Sequence, residues 1–546
     1  MHTASDRRFV YPCLVVFALL SYASAWRESP TFDEPTHLIS GYLYWRTGHY
    51  VANPADPPLL PLWSAIPLLA LHLPNPLPIP RQVIQSGLSL AAYYLYHNIL
   101  HPDILLNSAR GMIVLLGLSL GYLIWRWSSE ILGKRAGRVS LLAFIFCPPL
   151  LAFSHLVTPD FALALGGFAS LYAFWHQRRT QSVTSSLIFG FLFGVTLMIK
   201  FSGLLMLPIF MAIAAVEWNT GEAKSQGESP EIQMSMGFVG VLLPIILSYR
   251  KPGLLELFHE LQFLNALLAH PTPHYFLGHV HPSSWIWFPS ACLLLKTPLP
   301  FLFLASVGLA WAFRGRSPGA RTLFVWGALP ATLYWVMLSF VHHFIGIRRI
   351  LLVYPLLCML IGGAYTTLEK KSARTRYLCF GLGLWYAASS IALFPRYLSY
   401  FNELAGGPSR GYRFLLHCNS DWGQGLKALG IYLHEQQARS IYLSYFGSAT
   451  PQLYGIHFVS VGPVTDLNVL LADEPGLDPR REAKVLFAIS TNNAAGLYFP
   501  DPTLFSWLKT RTPTTIVMDS ILVYDVTRDP EALSHLETLR TSRRPS

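Results

Sequence analysis

Asp33 and Glu34 stand side by side in the run Ser29-Pro30-Thr31-Phe32-Asp33-Glu34-Pro35-Thr36-His37, shortly after an apolar stretch that ends at Trp26. A carboxylate fixed at a membrane face can take the proton of a hydroxyl beside a lipid-borne substrate. Helix capping or interfacial solvation would account for the same pair without chemistry. Asp160, in Val157-Thr158-Pro159-Asp160-Phe161, opens a second apolar run, where an acid also suits a helix N-terminus. If it shares a face with Asp33, the two can orient an acceptor or hold a cation.

Basic residues form the other half of the candidate chemistry. Lys200 ends an apolar run in Met198-Ile199-Lys200-Phe201-Ser202-Gly203, where snorkelling is the plain alternative. Arg348 and Arg349 close the run His342-His343-Phe344-Ile345-Gly346-Ile347, and Lys296 sits in Leu295-Lys296-Thr297-Pro298-Leu299-Pro300. Arginine offers phosphate a bidentate fork and lysine a point charge, so these four suit a phosphate-bearing substrate. His342-His343 lack a metal spacing such as H-E-x-x-H, and a structural role explains them. No G-x-x-x-x-G-K-[ST] run occurs, which argues against an ATP-driven pump.

The elements that must position these residues are membrane spans. The chain has 546 residues, of which 52% are hydrophobic and 13% charged. Soluble domains carry about a quarter charged residues, so half that value in a chain of this length indicates a polytopic membrane protein. The mean hydropathy of +0.39 agrees. The net charge of +11 is not a nucleic-acid signal, because most Lys and Arg lie in short loops between apolar runs. Cys13, Cys147, Cys292, Cys358, Cys379 and Cys418 show no C-x-x-C spacing and imply no disulfide framework. There is no N-x-[ST] sequon.

A span needs about 20 mostly apolar residues. Eleven are expected: 9–26, 108–128, 138–155, 160–176, 185–200, 202–218, 234–249, 290–313, 322–340, 348–367 and 377–394. Arg7-Arg8, the apolar run from Phe9 and Ala23-Ser24-Ala25 resemble a signal peptide, but the run reaches Trp26 and is read as an uncleaved anchor. Basic loops at Arg7-Arg8, Arg126 to Arg138, Arg178-Arg179, Arg314 to Arg321 and Lys370 to Arg376 place one side, with the N-terminus, in the cytoplasm. The loop 219–233, with Glu222, Glu228 and Glu231 against Lys224, is the exception. Asp33, Asp160, Lys200, Arg348 and Arg349 then share the outer side, and so does the C-terminus.

The outer loop 27–107 carries Pro54, Pro57, Pro58, Pro61 and Pro67 and an amphipathic stretch 59–73, which suits helices lying in the interface. The loop 250–289 holds a second amphipathic stretch, 254–268, followed by His270, His274, His279, His281, Trp285 and Trp287. Beyond 395 charges and turn residues rise. A helix near 423–437 and strand-like runs at 440–446, 485–490 and 515–525 indicate a small α/β domain outside, ending in a disordered tail at 540–546. The expected organisation is a transmembrane catalytic domain, 1–394, and an extracytoplasmic domain, 395–546.

Four stretches, in this order, resemble the GT-C superfamily of glycosyltransferases that use polyprenyl-phosphate sugars, in particular the protein O-mannosyltransferase-like and aminoarabinose-transferase-like enzymes. They are Phe32-Asp33-Glu34-Pro35-Thr36-His37 with Gly41-Tyr42, then Asn53-Pro54-Ala55-Asp56-Pro57-Pro58-Leu59, then Leu293-Leu294-Leu295-Lys296-Thr297-Pro298-Leu299-Pro300, then Gly346-Ile347-Arg348-Arg349 with Val353-Tyr354-Pro355. Asp421-Trp422-Gly423-Gln424 resembles a segment found after the last span in bacterial members. The resemblance implies that Asp33 is the catalytic base, with Glu34 its usual neighbour, and that Asp160 fills the acidic position between the third and fourth spans. It implies that Lys200, Arg348 and Arg349 meet the lipid phosphate, with Lys296 a further candidate. Asp56 stands where relatives have His.

The implied partners are a polyprenyl-phosphate sugar donor, a protein, lipid or glycan acceptor, and membrane lipid, but not nucleic acid. No cofactor is certain. A divalent cation, with Asp33 and Asp160 as candidate ligands, is compatible, since some members use one and others do not. A transporter or flippase of lipid-linked sugars is the alternative. It should place ionisable groups near the bilayer midplane in repeated halves, whereas here they gather at one face and no repeat is visible. A non-catalytic membrane scaffold is the third reading.

Overall fold

A computed structural model describes residues 4–50, 55–71, 73, 87–97, 100–219, 228–249, 254–269, 272–315, 317–463 and 476–541. Asn53, Pro54, Glu222, Lys224, His270 and residues 542–546, all invoked above, lie outside them. The molecule is mainly helical. Among the described residues, five helices are long and apolar enough to cross a membrane, six if one bent pair counts as a single span. Val183–Ile199 and Val353–Leu368 are shorter apolar helices.

Three expected spans are interrupted, each for a local reason. The run 138–155 is two helices, Lys134–Ile145 and Pro148–Phe153, because Pro148 and Pro149 cannot continue a helical ladder. The run 290–313 is Phe288–Lys296 followed by Leu299–Arg314, bent by 119° at Thr297-Pro298. The run 348–367 starts as a 3-10 turn, Ile347–Ile350, and becomes α-helical only at Val353. Arg348 and Arg349 therefore sit on a turn and not on a span.

Helices Pro159–Thr180 and Val183–Ile199 form a hairpin. Ser182 and Ser185 cap the second helix reciprocally. The hairpin puts Asp160, in the first turn of one helix, at the same end as Lys200, which follows the other, and leaves Arg178 and Arg179 at the opposite end. Helix Ala4–Arg27 packs on Pro102–Leu132, and a Cβ at Gly117 would lie 2.5 Å from the Phe17 ring. Large apolar side chains on Pro230–Tyr249, including Phe238, Ile246 and Leu247, are exposed. A lipid-facing helix presents such a surface without the cost it would carry in water.

The loop 27–107 contains the helices Glu34–Thr47, Leu59–Ser64 and Ile66–Ala70, the last two within the amphipathic stretch 59–73. Gly41 lets the first of these lie against the second, since a Cβ there would be 1.9 Å from the carbonyl oxygen of Pro61. A two-stranded hairpin, β1 His274–Phe276 with β2 His279–His281, follows helix Leu254–Ala269.

The C-terminal part holds a five-stranded sheet built from β3 Ile441–Ser444, β4 Phe458–Ser460, β5 Leu486–Ser490, β6 Thr515–Val517 and β7 Ile521–Asp525, in the order β4-β3-β5-β7-β6. β3 is parallel to both β4 and β5, and β7 is antiparallel to β5 and β6. The predicted strand 515–525 is thus a β6–β7 pair, and β4 escaped prediction. Period-two alternation sends Ile441, Leu443, Leu486 and Ala488 to the face covered by helix Leu426–Glu435. Tyr442 and Phe487 go to the face covered by Ala532 and Leu536 of helix Pro530–Thr541. The connecting segment is no loose linker: Tyr397, Leu398, Phe401, Leu415 and Trp422 are buried in the same core as the helices.

Candidate active site

The segment between the first helix and Glu34 is held along its length. Ser29 N donates to Gln424 O (3.1 Å), and Phe32 N donates to Trp422 O (2.9 Å). The 421–424 stretch singled out in the sequence thereby pins the backbone that carries Asp33. Phe32 also stacks on Phe446, ring centroids 5.4 Å apart, which ties it to the loop after β3.

Asp33 opens onto a cavity of about 530 Å³ that Asp160, Lys200, Arg348 and Arg349 also line, with His37 and Asp56. Leu163, Leu204, Leu261, Leu264 and Leu338 give it apolar walls. Five of the seven predicted site residues therefore meet in one place, although they come from parts of the chain more than 300 positions apart. Arg348 is the hub. Its Nη1 lies 2.7 Å from Asp33 Oδ2 and 3.7 Å from Asp160 Oδ2. Its guanidinium rests 4.4 Å from the centroid of the Trp422 ring. Lys200 Nζ donates to Asp160 Oδ1 at 2.7 Å.

The two aspartates differ in access. The Asp33 side chain is 28% exposed and that of Asp160 only 1%. Asp160 is locked between two cations, which would be left as unpaired buried charges without it. Asp33 has one oxygen on Arg348 and remains within reach of a ligand. Burial works to raise the Asp33 carboxyl, but the Arg348 guanidinium and His37 outweigh it and hold Asp33 below the usual carboxylate range. Burial and the nearby Arg349 push His343 down to about 4, so this lining residue is neutral at pH 7. Arg348 Nε and Arg349 Nε are buried without a hydrogen-bond partner among the described residues. Buried orphan donors of this kind are rare.

Two predicted site residues lie elsewhere. Glu34 is completely engaged. It takes Arg110 Nε (2.9 Å) and Nη2 (2.6 Å) in a bidentate pair, and Thr31 N, Thr31 Oγ1 and Val157 N fill its remaining positions. Both partners are buried, and no oxygen of Glu34 is left for a substrate. Lys296 does not line the cavity either: its Nζ donates to the carbonyls of Leu398 and Asn419. Nor does the donor set fit a cation between Asp33 and Asp160, because the Arg348 guanidinium already lies between them. Among the described residues no group of three or more His, Cys, Asp or Glu side chains is placed to hold a metal.

Arg110 was missed by sequence reasoning, and its signal was plain. It is one of two charges, with Arg126, inside the apolar run 108–128, where an unpaired guanidinium would be costly. Its Nη1 and Nη2 also donate to the carbonyls of Ala25 and Ser29, so it braces the turn that presents Asp33.

Residues 103–243 match the family model described as dolichyl-phosphate-mannose-protein mannosyltransferase. The crystal structure of ArnT from Cupriavidus metallidurans in the apo state superposes with a TM-score of 0.50 at 14% identity, covering 100% of both chains. Over residues 103–243 the chain is thus similar to that mannosyltransferase family, and its fold is similar to that of ArnT. The same ArnT bound to undecaprenyl phosphate gives 0.48 at 16% identity over 96% of this chain and 98% of that one. The Archaeoglobus fulgidus oligosaccharyltransferase in its apo form gives 0.44 at 12% over 80% and 59%. No curated protein matches the chain. The family segment runs from the helix that carries Arg110 to Pro230–Tyr249 and includes Asp160 and Lys200, while Asp33 and Arg348 fall outside it.

Proposed function

We propose that this chain is a GT-C enzyme that moves a sugar from a polyprenyl-phosphate carrier to an acceptor hydroxyl on the extracytoplasmic face, with inversion, and that Asp33 is the general base. The observation that carries the reading is the accessible Asp33 carboxylate set against Arg348, Arg349 and Lys200 in one cavity with apolar walls. A sugar phosphoester already has a good leaving group, so its departing oxygen needs positive charge more than a proton. Arg348, Arg349 and Lys200 supply that charge. Asp33 takes the hydroxyl proton as the new bond forms at the anomeric carbon and the bond to the phosphate oxygen breaks. The products are the glycosylated acceptor and the free polyprenyl phosphate. Asp160 positions Lys200 and Arg348 and touches no reacting atom.

The description of the matching family, a dolichyl-phosphate-mannose enzyme, supports the donor class. The acceptor is a hydroxyl on a protein, a lipid or a glycan. In this reading the chain crosses the cell membrane eleven times, with the N-terminus in the cytoplasm and residues 395–546 forming an outer domain. Arg178 and Arg179, at the helix end opposite Asp160, support that orientation. The test is sugar transfer in detergent-opened membranes supplied with radiolabelled polyprenyl-phosphate sugars. Wild type should label an acceptor fraction and Asp33→Asn at matched expression should not. Equal labelling by both would remove Asp33 from the chemistry.

A further inference from the structure

Lys296 has no place in the cavity, yet it is buried and part of a run that the fold treats as a joint. Helices Phe288–Lys296 and Leu299–Arg314 meet at 119° around Thr297-Pro298. Pro298 has no N–H, so carbonyls of the last turn lose their helical partners. Asn402 replaces them. Its Nδ2 donates to Leu294 O (2.5 Å) and Thr297 O (2.8 Å), and its backbone N donates to Leu295 O (3.0 Å). Thr297 Oγ1 shares a hydrogen bond with Tyr354 OH at 2.7 Å. The break is therefore fixed on both sides.

From this joint Lys296 reaches the segment after the last helix. Its Nζ donates to Leu398 O (2.8 Å) and to Asn419 O, and lies 4.3 Å from the Phe401 ring centroid. Asn419 is fully buried and holds the arginine turn: its Oδ1 accepts from Ile347 N at 2.9 Å, while its Nδ2 donates to Leu416 O at 2.8 Å. Gly346, with φ 148°, passes so close that a Cβ there would lie 2.7 Å from the Asn419 side chain. The order of contact is thus Lys296, Asn419, Ile347 and then Arg348, the next residue.

We propose that Lys296 is a positioning residue for the phosphate clamp, acting through Asn419 to set the Ile347–Arg348 turn without touching the substrate. The proposal rests on the reading that Arg348 binds the donor phosphate. Lysine suits the task because one terminal nitrogen satisfies two carbonyls that converge from separate turns. Methionine would keep the stem and leave both oxygens without a donor.

The test is isothermal titration of a short-chain polyprenyl monophosphate into the full chain in detergent, with thermal midpoints recorded alongside. Lys296→Met should weaken binding by roughly tenfold, the size of one lost hydrogen bond. Lys296→Arg, which keeps donors, should recover part of the loss. Lys296→Met combined with Arg348→Gln should bind no worse than Arg348→Gln alone, because both act on one contact. Unchanged affinity in Lys296→Met, or losses that multiply in the double variant, would overturn the proposal. If Lys296→Met does not fold, Asn419→Ala must show the same loss and the same non-additivity. A wild type that binds no monophosphate would overturn the functional reading itself, and this proposal with it.

Discussion

Arg348 Nη1 donates to Asp33 Oδ2 at 2.7 Å, so the residue assigned to phosphate holds the residue assigned to the proton. The contact keeps Asp33 ionised in the free enzyme and leaves it a weak base. A donor phosphate that engages Arg348 draws that charge away and brings an anion close, which makes the carboxylate more basic at the step that needs it.

This relationship has a pH signature. A carboxylate whose pKa is depressed stays ionised until the pH falls below the usual value of about 4. The acid limb of kcat/KM, which reports the free enzyme, should therefore lie below that value, and the limb of kcat, which reports the donor complex, should lie higher. Arg348→Gln should move the kcat/KM limb up. Profiles of both constants between pH 3 and 8 check this, and coincident limbs would contradict it.

Arg349 shows the other side of the clamp. It lines the cavity and makes no ion pair among the described residues, so its loss leaves no partner stranded. Arg349→Gln should raise the donor KM by about tenfold to a hundredfold, the loss of one hydrogen bond to a charged group. The thermal midpoint should move little. Donor titrations at saturating acceptor, with a melting curve, measure both.

Glu34→Gln should behave in the opposite way. It strands the buried Arg110 guanidinium at a cost of about 3–5 kcal/mol. Thermal melts in detergent should show a large drop in midpoint. The protein that stays folded should keep its donor KM, since Glu34 is outside the cavity.

Asp421 gives stability a pH dependence of its own. Burial pushes its carboxyl up to about 7, and its Oδ2 has no hydrogen-bond partner among the described residues. An acid whose folded pKa is raised favours the folded state when protonated. Its contribution is complete below the unfolded value near 4 and is lost as the pH rises towards 7. Asp421→Asn should flatten the fall in midpoint between pH 4 and 7 and raise the midpoint at pH 8.

Much of this site was legible in the sequence because membrane spans restrict where charge can sit. Asp160 and Lys200 had to share an end of the molecule once the alternation of spans put both on one side. Arg348-Arg349 stood out as basic residues on the side read as outer. What stayed hidden were contacts between distant segments. Nothing local to Glu34 says that Arg110 will consume it, and nothing local to Lys296 says that it reaches Asn419. The interrupted spans were partly visible, since Pro148-Pro149 and Pro298 mark them, but apolar length outweighed proline in the reading. β4 was missed because three residues are too few to show alternation.

The central claim is that Asp33 supplies the base and not the binding. Single-turnover sugar transfer by Asp33→Asn, with donor preloaded, tests it most directly when paired with a titration of polyprenyl monophosphate. The account predicts a rate lower by about 10² to 10⁴, the range for a lost general base, with monophosphate affinity equal to wild type or tighter because Arg348 is released. A rate near wild type, or a loss explained wholly by weaker monophosphate binding, would contradict it.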